Sequence, residues 1–193
     1  MRETDNSKRR VKRPKKPLDS ARLQELALAY VARFSTSTSK LETYLKRKLR
    51  ERGWEGEAEP DVAAISARYV ELGYIDDAAY ARAKAGGLLS RGYGARRVSQ
   101  ALYAAGIDEN IREDVAPDEL KMRLAVQKMA QKRRFGPYYV PKDGQSLDRD
   151  RREKQIAALL RAGHGFDIVG KVMNARSAEA VDDWVNEARD EEY

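Results

Sequence analysis

Residues 73–107 read GYIDDAAYARAKAGGLLSRGYGARRVSQALYAAGI, and this stretch encodes two successive helices with their own start and stop signals. Gly73 follows an amphipathic segment and suits the left-handed backbone position that closes a helix. The carboxylate of Asp76 stands where it can accept the free backbone N–H groups of a new first turn, and the helix dipole favours the charge of Asp77. We therefore predict a helix that starts after Asp76 and runs to about Arg91.

The second helix of the stretch follows a break at Gly92-Tyr93-Gly94 and covers residues 95–105. Its apolar residues recur at helical spacing, while its basic residues lie on other faces. Gly106 stops this helix, and Ile107 returns the chain to the core. The apolar face consists of Val98, Ala101, Leu102 and Ala105.

Three motifs of this stretch, GYIDD, RGYG and R-V-x-x-x-L-x-x-x-G-I, occur in the order and near the spacing of the bacterial RecX family. The sequence therefore resembles the middle of a RecX regulatory protein. The resemblance implies a fold of three tandem three-helix repeats. It also implies a protein without enzymatic activity that binds filaments of the recombinase RecA on single-stranded DNA and restrains strand exchange, nucleotide hydrolysis and co-protease activity. Arg91 and Arg97 fall on matching positions of the family motifs.

The composition excludes several kinds of site. The 193 residues include no cysteine, so disulfides and thiolate zinc sites are impossible. No apolar run approaches the roughly 18–20 residues that a membrane span needs, and the basic N-terminus lacks the apolar core of a signal peptide. We therefore expect a cytoplasmic protein with no membrane partner.

Charge is distributed unevenly along the chain, whose formal net charge is +7. Residues 1–17 carry eight Lys/Arg against two acids and show no apolar periodicity, which predicts a disordered basic arm. Residues 177–193 carry one arginine against seven acids, so their negative charge cancels the positive charge of residues 1–17. The part of the chain between these two segments therefore has the same net charge as the whole chain. A basic body indicates a polyanionic partner such as nucleic acid or a nucleoprotein surface; the alternative is that the charge serves solubility alone.

An internal repeat determines the predicted architecture. A basic helix that ends in Leu-x-x-x-Gly occurs at Leu49…Gly53, Leu102…Gly106 and Leu159…Gly163, each time between a long helix and a short apolar one. No segment alternates apolar and polar residues as a half-buried strand would. We predict an elongated all-α fold of three tandem three-helix repeats with a C-terminal helix. The expected bounds are 18–73, 74–116 and 117–176 for the repeats, the last with an inserted loop at 135–148, and 177–193 for an acidic helix and tail.

Six residues are predicted to define helix ends. A first helix is expected over residues 18–34, followed by a Ser/Thr linker at 35–39. Ser39 with Glu42 then fits a capping box for the second helix. The predicted capping residues are Ser39, Gly53, Gly73, Asp76, Gly106 and Gly163.

The sequence offers no constellation for catalysis. The segment 165–171 matches G-x-x-x-x-G-K, but Val172 stands where a phosphate-binding loop needs Ser or Thr, and no strand precedes it. His164 is the only histidine and lies between two glycines, so we interpret it as an incidental turn residue. The acids near the C-terminus are interpreted as a solvated helix end. We therefore predict no catalytic residue, no metal and no cofactor.

The remaining candidates are basic side chains at matching places in the repeats. Stacked repeats would align them into a stripe on one surface, where they would meet acidic filament surface or DNA phosphates. The alternative is that each belongs to a solvated helix face. The predicted stripe comprises Lys46, Arg47, Arg50, Arg82, Arg91, Arg96, Arg97, Arg151, Arg152 and Lys154.

Taken with the resemblance, these features predict a monomeric modulator, mainly an inhibitor, of RecA. Its elongated body would bridge successive subunits of the RecA filament and bind single-stranded DNA without sequence preference. The alternative hypothesis is a sequence-independent nucleic-acid-binding helical protein that acts without RecA, because short helices joined by glycine turns also fit helix-turn-helix motifs. Against this alternative, no helix carries the mixture of Asn, Gln and Arg expected for reading base edges.

Overall fold

The computed structural model of the chain describes residues 16–140 and 148–190. The described residues form α-helices joined by short turns, which confirms the predicted all-α fold. None of the described helices is long and apolar enough to cross a membrane. The helices are α1 (Ser20–Arg33), α2 (Thr38–Arg52), α3 (Val62–Glu71), α4 (Asp77–Leu89), α5 (Ala95–Tyr103), α6 (Glu109–Asp114), α7 (Glu119–Arg133), α8 (Arg149–Arg161), α9 (Phe166–Asn174) and α10 (Ala178–Asp190), with a short 3-10 turn at Gly136–Tyr138.

Some predictions fall on residues that the structure does not describe. The predicted disordered arm at 1–17 lies outside the described residues except for Lys16 and Pro17. The predicted inserted loop is described as far as Val140 and again from Asp148. The last three residues of the predicted acidic tail also lie outside the described part.

Unit 1 consists of α1, α2 and α3, and a side chain caps the start of each helix. Asp19, Ser37 and Asp61 each accept a hydrogen bond from the backbone N–H three residues further on. Such a cap contributes about 1 kcal/mol, because it pairs an otherwise free donor of the first turn. The core of the unit is formed by apolar residues at helical spacing, among them Leu23, Ala27, Leu41, Leu45, Val62 and Tyr69.

The predicted capping box of Ser39 and Glu42 is wrong. The N-cap of α2 is Ser37, so Ser39 lies within the first helical turn. Ser37 is buried, and its hydroxyl also donates to the carbonyl of Ala105 in the next unit, 2.6 Å away. The Ser/Thr run at 35–39 contains several residues that could cap a helix, and this contact between units selects one of them.

The segment before α1 covers the C-terminal end of α2. The sequence predicts that α1 begins at Leu18. In the structure, Asp19 is the N-cap of α1, and Leu18 is fully buried in an extended conformation. The Leu18 N–H donates to the carbonyl of Gly53 at 2.9 Å, and the Glu55 N–H donates to the carbonyl of Leu18 at 2.9 Å. This short bridge therefore occupies the carbonyl at the end of α2.

The GYIDD segment connects unit 1 to unit 2. Gly73 has φ +74°, and the Tyr74 N–H donates back to the carbonyl of Tyr69, which closes α3. Ile75 is buried in the core of unit 1. Asp76 is the N-cap of α4, and its carboxylate accepts a hydrogen bond from the backbone N–H three residues on at 2.8 Å. The segment thus ends one helix, anchors the chain in a core and starts the next helix within four residues.

Unit 2 consists of α4, α5 and α6, and unit 3 of α7, α8 and α9. The α9 helix starts after its N-cap, Gly165, and Val169 and Val172 are buried in the core of unit 3. The G-x-x-x-x-G-K segment is therefore a core helix and does not form the loop that binds phosphate in nucleotide-binding proteins.

The C-terminal helix α10 is fixed on α7 by a buried arginine. Arg123 is only 8% exposed. Its guanidinium donates to the backbone carbonyl of Trp184 and to the carboxylate of Glu119, and it lies 4.8 Å from the centroid of the Trp184 ring. Val181 and Val185 of α10 are buried on the same side. The apolar stripe of α10 is therefore packed on unit 3.

Candidate functional site

The second helices of units 2 and 3 meet end to end. At the N-terminus of α5, the Gly94 N–H donates to the carbonyl of Ala162 at 3.0 Å, and the Arg96 N–H donates to the carbonyl of Gly163 at 3.1 Å. Both carbonyls belong to the end of α8. The last carbonyls of one helix thus pair with the first N–H groups of the next, which also places the two helix dipoles head to tail.

This junction between α5 and α8 requires glycine on both sides. A Cβ atom added at Gly163 would lie 2.4 Å from the backbone nitrogen of Arg97, and one added at Gly94 would lie 2.4 Å from the carbonyl carbon of Gly163. Gly163 also has φ +94°, a conformation that residues with a side chain rarely adopt. The third Leu-x-x-x-Gly motif therefore ends a helix and also lets the neighbouring unit approach.

The second helices of units 1 and 2 also meet end to end, but through side chains. The contact between Ser37 and Ala105 joins the N-terminus of α2 to the end of α5, and a Cβ atom at Gly106 would lie 2.2 Å from the hydroxyl of Ser39. Asp77 accepts a hydrogen bond from the Thr38 N–H at 2.9 Å, so this carboxylate also links the two units. The helices α2, α5 and α8 therefore form one column of three helices stacked end to end, which we call the helix column.

The interpretation of His164 as an incidental turn residue is wrong. Its side chain is 2% exposed, and Nε2 donates to the carbonyl of Gly92 in unit 2 at 2.9 Å. The internal repeat indicates that His164 is buried. Trp54 and Ile107 occupy the same position in the other two units, directly after the glycine of the Leu-x-x-x-Gly motif. Ile107 is buried in unit 2, and Trp54 packs against the core of unit 1. His164 is therefore a structural residue of the junction between α5 and α8.

The burial of His164 predicts how stability depends on pH. Burial lowers the pKa of His164 below its usual value, and the hydrogen bond to the Gly92 carbonyl opposes that shift. The unfolded chain therefore binds the proton first, so stability is complete above about pH 6.5 and falls as the pH decreases toward the folded pKa. The free energy of unfolding should fall by at most about 1.4 kcal/mol per pH unit in this window, measured by urea denaturation.

His164→Gln is the matched control for this prediction, because the glutamine amide keeps a donor for the Gly92 carbonyl and does not titrate. The carboxylates titrate equally in both proteins, so the difference between their two pH profiles isolates the histidine. Parallel profiles between pH 5 and 7.5 would contradict the prediction.

The structure divides the predicted stripe into paired and unpaired residues. Lys46 pairs with Glu42 at 3.0 Å, Arg47 lies 3.8 Å from a carboxylate oxygen of Glu51, and Arg152 donates to the Asn174 side chain at 2.6 Å. Arg151 pairs with the capping residue of its own helix. The stripe residues that are exposed and have no ion pair with any described residue are Arg50, Arg82, Arg91, Arg96, Arg97 and Lys154.

Three of these unpaired residues gather at the junction between α5 and α8. Arg96 and Arg97 form the first turn of α5 against Gly163, and Arg91 directly precedes Gly92. Arg161, in the last turn of α8, is also exposed and has no ion pair within the described part of the chain. We call Arg91, Arg96, Arg97 and Arg161 the junction cluster. No described acid lies within ion-pairing distance of these four guanidinium groups, although Glu109 and Glu113 line a pocket with Arg96. Exposed guanidinium groups without an ion pair are suited to bind phosphate or carboxylate groups.

The geometry of the junction favours binding through side chains. The Gly94 and Arg96 N–H groups at the start of α5 already donate to carbonyls of α8, so they are not free to hold an anion. Among the described residues, no group of three His, Asp or Glu side chains is arranged to hold a metal ion. The arginine side chains therefore supply the chemistry of this site.

The chain is similar to known RecX proteins along most of its length. Residues 76–115 match the family model for the second three-helix domain of RecX. A regulatory protein RecX from Myxococcus xanthus is 30% identical over 181 residues, which cover 89% of this chain and 95% of that protein. A regulatory protein RecX from Thermus thermophilus is 37% identical over 92 residues, 48% of this chain and 61% of that protein.

Two solved structures share the fold. The crystal structure of RecX from Lactobacillus salivarius has a TM-score of 0.56 at 19% identity and covers 86% of this chain and 96% of its own. A second crystal structure of a regulatory protein RecX has a TM-score of 0.60 at 21% identity, covering 80% of this chain and 71% of its own. The all-α repeat fold of this chain is thus shared with these structures.

Proposed function

Since this chain belongs to the RecX family, we propose that it modulates the recombinase RecA, mainly by inhibition, by binding RecA filaments on single-stranded DNA. It acts by binding and without catalysis, as a monomer in the cytoplasm. The observation that carries this proposal is the junction cluster on the helix column, where four exposed arginines have no ion pair with any described residue.

Unpaired arginines favour such an interaction for an energetic reason. An arginine that is already paired must exchange one carboxylate for another, whereas Arg96 and Arg97 can bind a new carboxylate or phosphate without breaking an ion pair within the described part of the chain. The planar guanidinium group can also bind either anion through two parallel hydrogen bonds. An acidic filament surface and the phosphates of the bound DNA are therefore suitable ligands.

The junctions between units fix the backbone positions from which these arginines project. Backbone hydrogen bonds and close glycine contacts join α8 to α5, and Ser37 and Asp77 join unit 1 to unit 2. A preorganised surface loses little conformational entropy on binding, and several weak contacts along one body add to the affinity. The modular fold is therefore suited to contact more than one subunit of a helical filament.

The test measures the DNA-dependent ATPase of RecA with the full chain and with a variant that lacks residues 1–15. Inhibition should persist in a large excess of single-stranded DNA, because the target is the filament and not free DNA. The deletion keeps Lys16, whose carbonyl accepts a hydrogen bond from Arg52, so the fold should be preserved. It should weaken binding to free DNA and reduce the log–log salt slope by about 0.7 for each phosphate that the shortened protein no longer neutralises, with inhibition largely retained.

The competing hypothesis, a nucleic-acid-binding protein that acts without RecA, makes the opposite prediction. Inhibition would then disappear in excess DNA, and it would decline in parallel with DNA affinity when residues 1–15 are removed. Either result would contradict the proposal that the chain acts by binding RecA filaments.

A further inference from the structure

A groove lies between α4 and α7, where unit 2 meets unit 3, on the first helices of these units and apart from the helix column. Its volume is about 470 Å³. Leu89 of α4 and Leu124 and Ala125 of α7 form its apolar floor, while Lys128 and Gln131 lie on its rim. Leu124 is 37% exposed although it is apolar, so the described residues leave this floor partly open to solvent.

The helix on one side of the groove contains two glycines that the fold does not require. Gly86 and Gly87 lie inside α4, where glycine stabilises a helix less than alanine does. Neither has a positive φ, and a Cβ atom at either position would have no neighbour within 4 Å. Gly86 is exposed and lines the groove, whereas Gly87 does not line it. A missing side chain at Gly86 lets the backbone of another molecule come close to α4.

The charged side chains that line the groove are both basic, and the nearby Asp182 accepts a hydrogen bond from the lining residue Gln127. None of the described residues that line it is acidic. Lys128 is exposed at the rim, and Lys121, which pairs with Asp118, also lines it. Arg82, one helical turn before Gly86 on α4, and Lys132, one turn after Lys128 on α7, are both exposed but do not line the groove. The complementary ligand therefore carries negative charge beside an apolar surface.

We propose that this groove docks an acidic amphipathic segment of a protein partner. Apolar side chains of the segment pack on Leu89 and Leu124, its backbone crosses α4 at Gly86, and its carboxylates face Lys128. This mode is the insertion of an amphipathic helix into a groove, anchored by residues at helical spacing. It gives the protein a second interaction surface, independent of the helix column and of any binding to RecA.

The probe is a synthetic helical peptide with leucine at i, i+4 and i+7 and glutamate on its other faces. Because the chain has no cysteine, Ser90→Cys at the edge of the groove provides a single site for a fluorophore in the full-length protein. The peptide should produce a saturable fluorescence change, and a peptide with lysine in place of glutamate should not. Gly86→Ala and Lys128→Glu should each weaken binding of the acidic peptide at least tenfold.

Gly87→Ala is the matched control, because it makes the same change in the same helix outside the groove. Both alanine variants should unfold at a higher temperature than the parent protein, which confirms that each is folded. The proposal is overturned if Gly86→Ala and Gly87→Ala bind the peptide equally. It is also overturned if a single-stranded oligonucleotide, and not the acidic peptide, causes the fluorescence change that Gly86→Ala abolishes.

Discussion

Replacement of Gly163 by alanine is expected to destabilise the protein by more than about 3 kcal/mol, an exceptional cost for the addition of one methyl group. Two causes act together at this position. The φ of +94° disfavours a residue with a Cβ atom by about 1–2 kcal/mol. The new Cβ atom would also lie 2.4 Å from the backbone nitrogen of Arg97, so α5 and α8 would have to separate. Urea denaturation followed by circular dichroism measures the change in the free energy of unfolding.

Alanine substitutions at two other glycines test the backbone conformation and the steric clash separately. Gly53→Ala adds a side chain at φ +80° and ψ 171°, a backbone conformation largely restricted to glycine, but with nothing within 4 Å, so it should cost about 1–3 kcal/mol. Gly94→Ala has an ordinary φ of −84° but places a Cβ atom 2.4 Å from the carbonyl carbon of Gly163, so it tests the steric clash alone. If Gly163→Ala cost no more than Gly53→Ala, the close junction between the units would be excluded.

Reversal of two charges at the junction cluster is expected to have the largest effect on binding. The double substitution Arg96→Glu and Arg97→Glu should weaken affinity for RecA filaments about 100-fold or more, which corresponds to about 2.7 kcal/mol. Both side chains are exposed and have no ion pair within the described part of the chain, so the fold should not change. Fluorescence anisotropy on labelled filaments gives the affinity, and circular dichroism verifies the helix content.

The matched control is the double substitution Lys171→Glu and Arg176→Glu. These residues are also exposed and lie outside the three helices of the helix column, and the net charge changes by the same amount. The control should retain most of the affinity. An equal weakening in both variants would show that total charge, and not the junction cluster, determines binding, and unchanged affinity in a folded junction variant would remove the cluster from the contact surface.

The fold was largely predictable because its signals are local. Gly73 and Asp76 end one helix and start the next through contacts within a few residues, and the sequence displays them directly. The local pattern could not distinguish Ser37 from Ser39 as the N-cap of α2, because the choice depends on a hydrogen bond from Ser37 to a carbonyl of the next unit. The burial of His164 was visible in the repeat, but its hydrogen-bond partner was not, since the Gly92 carbonyl is 72 residues away in sequence.

The candidate site was predictable only in part. The basic residues and their places in the repeat are visible in the sequence, and so are the acids four residues from Lys46 and Arg47 that pair with them. The partner of Arg152 is Asn174 in another helix, which only the packing of α8 against α9 brings near. Which arginines remain unpaired is therefore a property of the tertiary structure.

The bridge at Leu18 has a consequence for how many units can join. Each junction pairs the carbonyls at the end of one second helix with the start of another, so the contact is heterologous and could in principle continue from molecule to molecule as an open fibre. At one end of the column, however, Leu18 already occupies the Gly53 carbonyl. The α2 end of the column is therefore terminated from within the chain, as the capping repeats of solenoid proteins terminate theirs, which limits self-polymerisation through this contact.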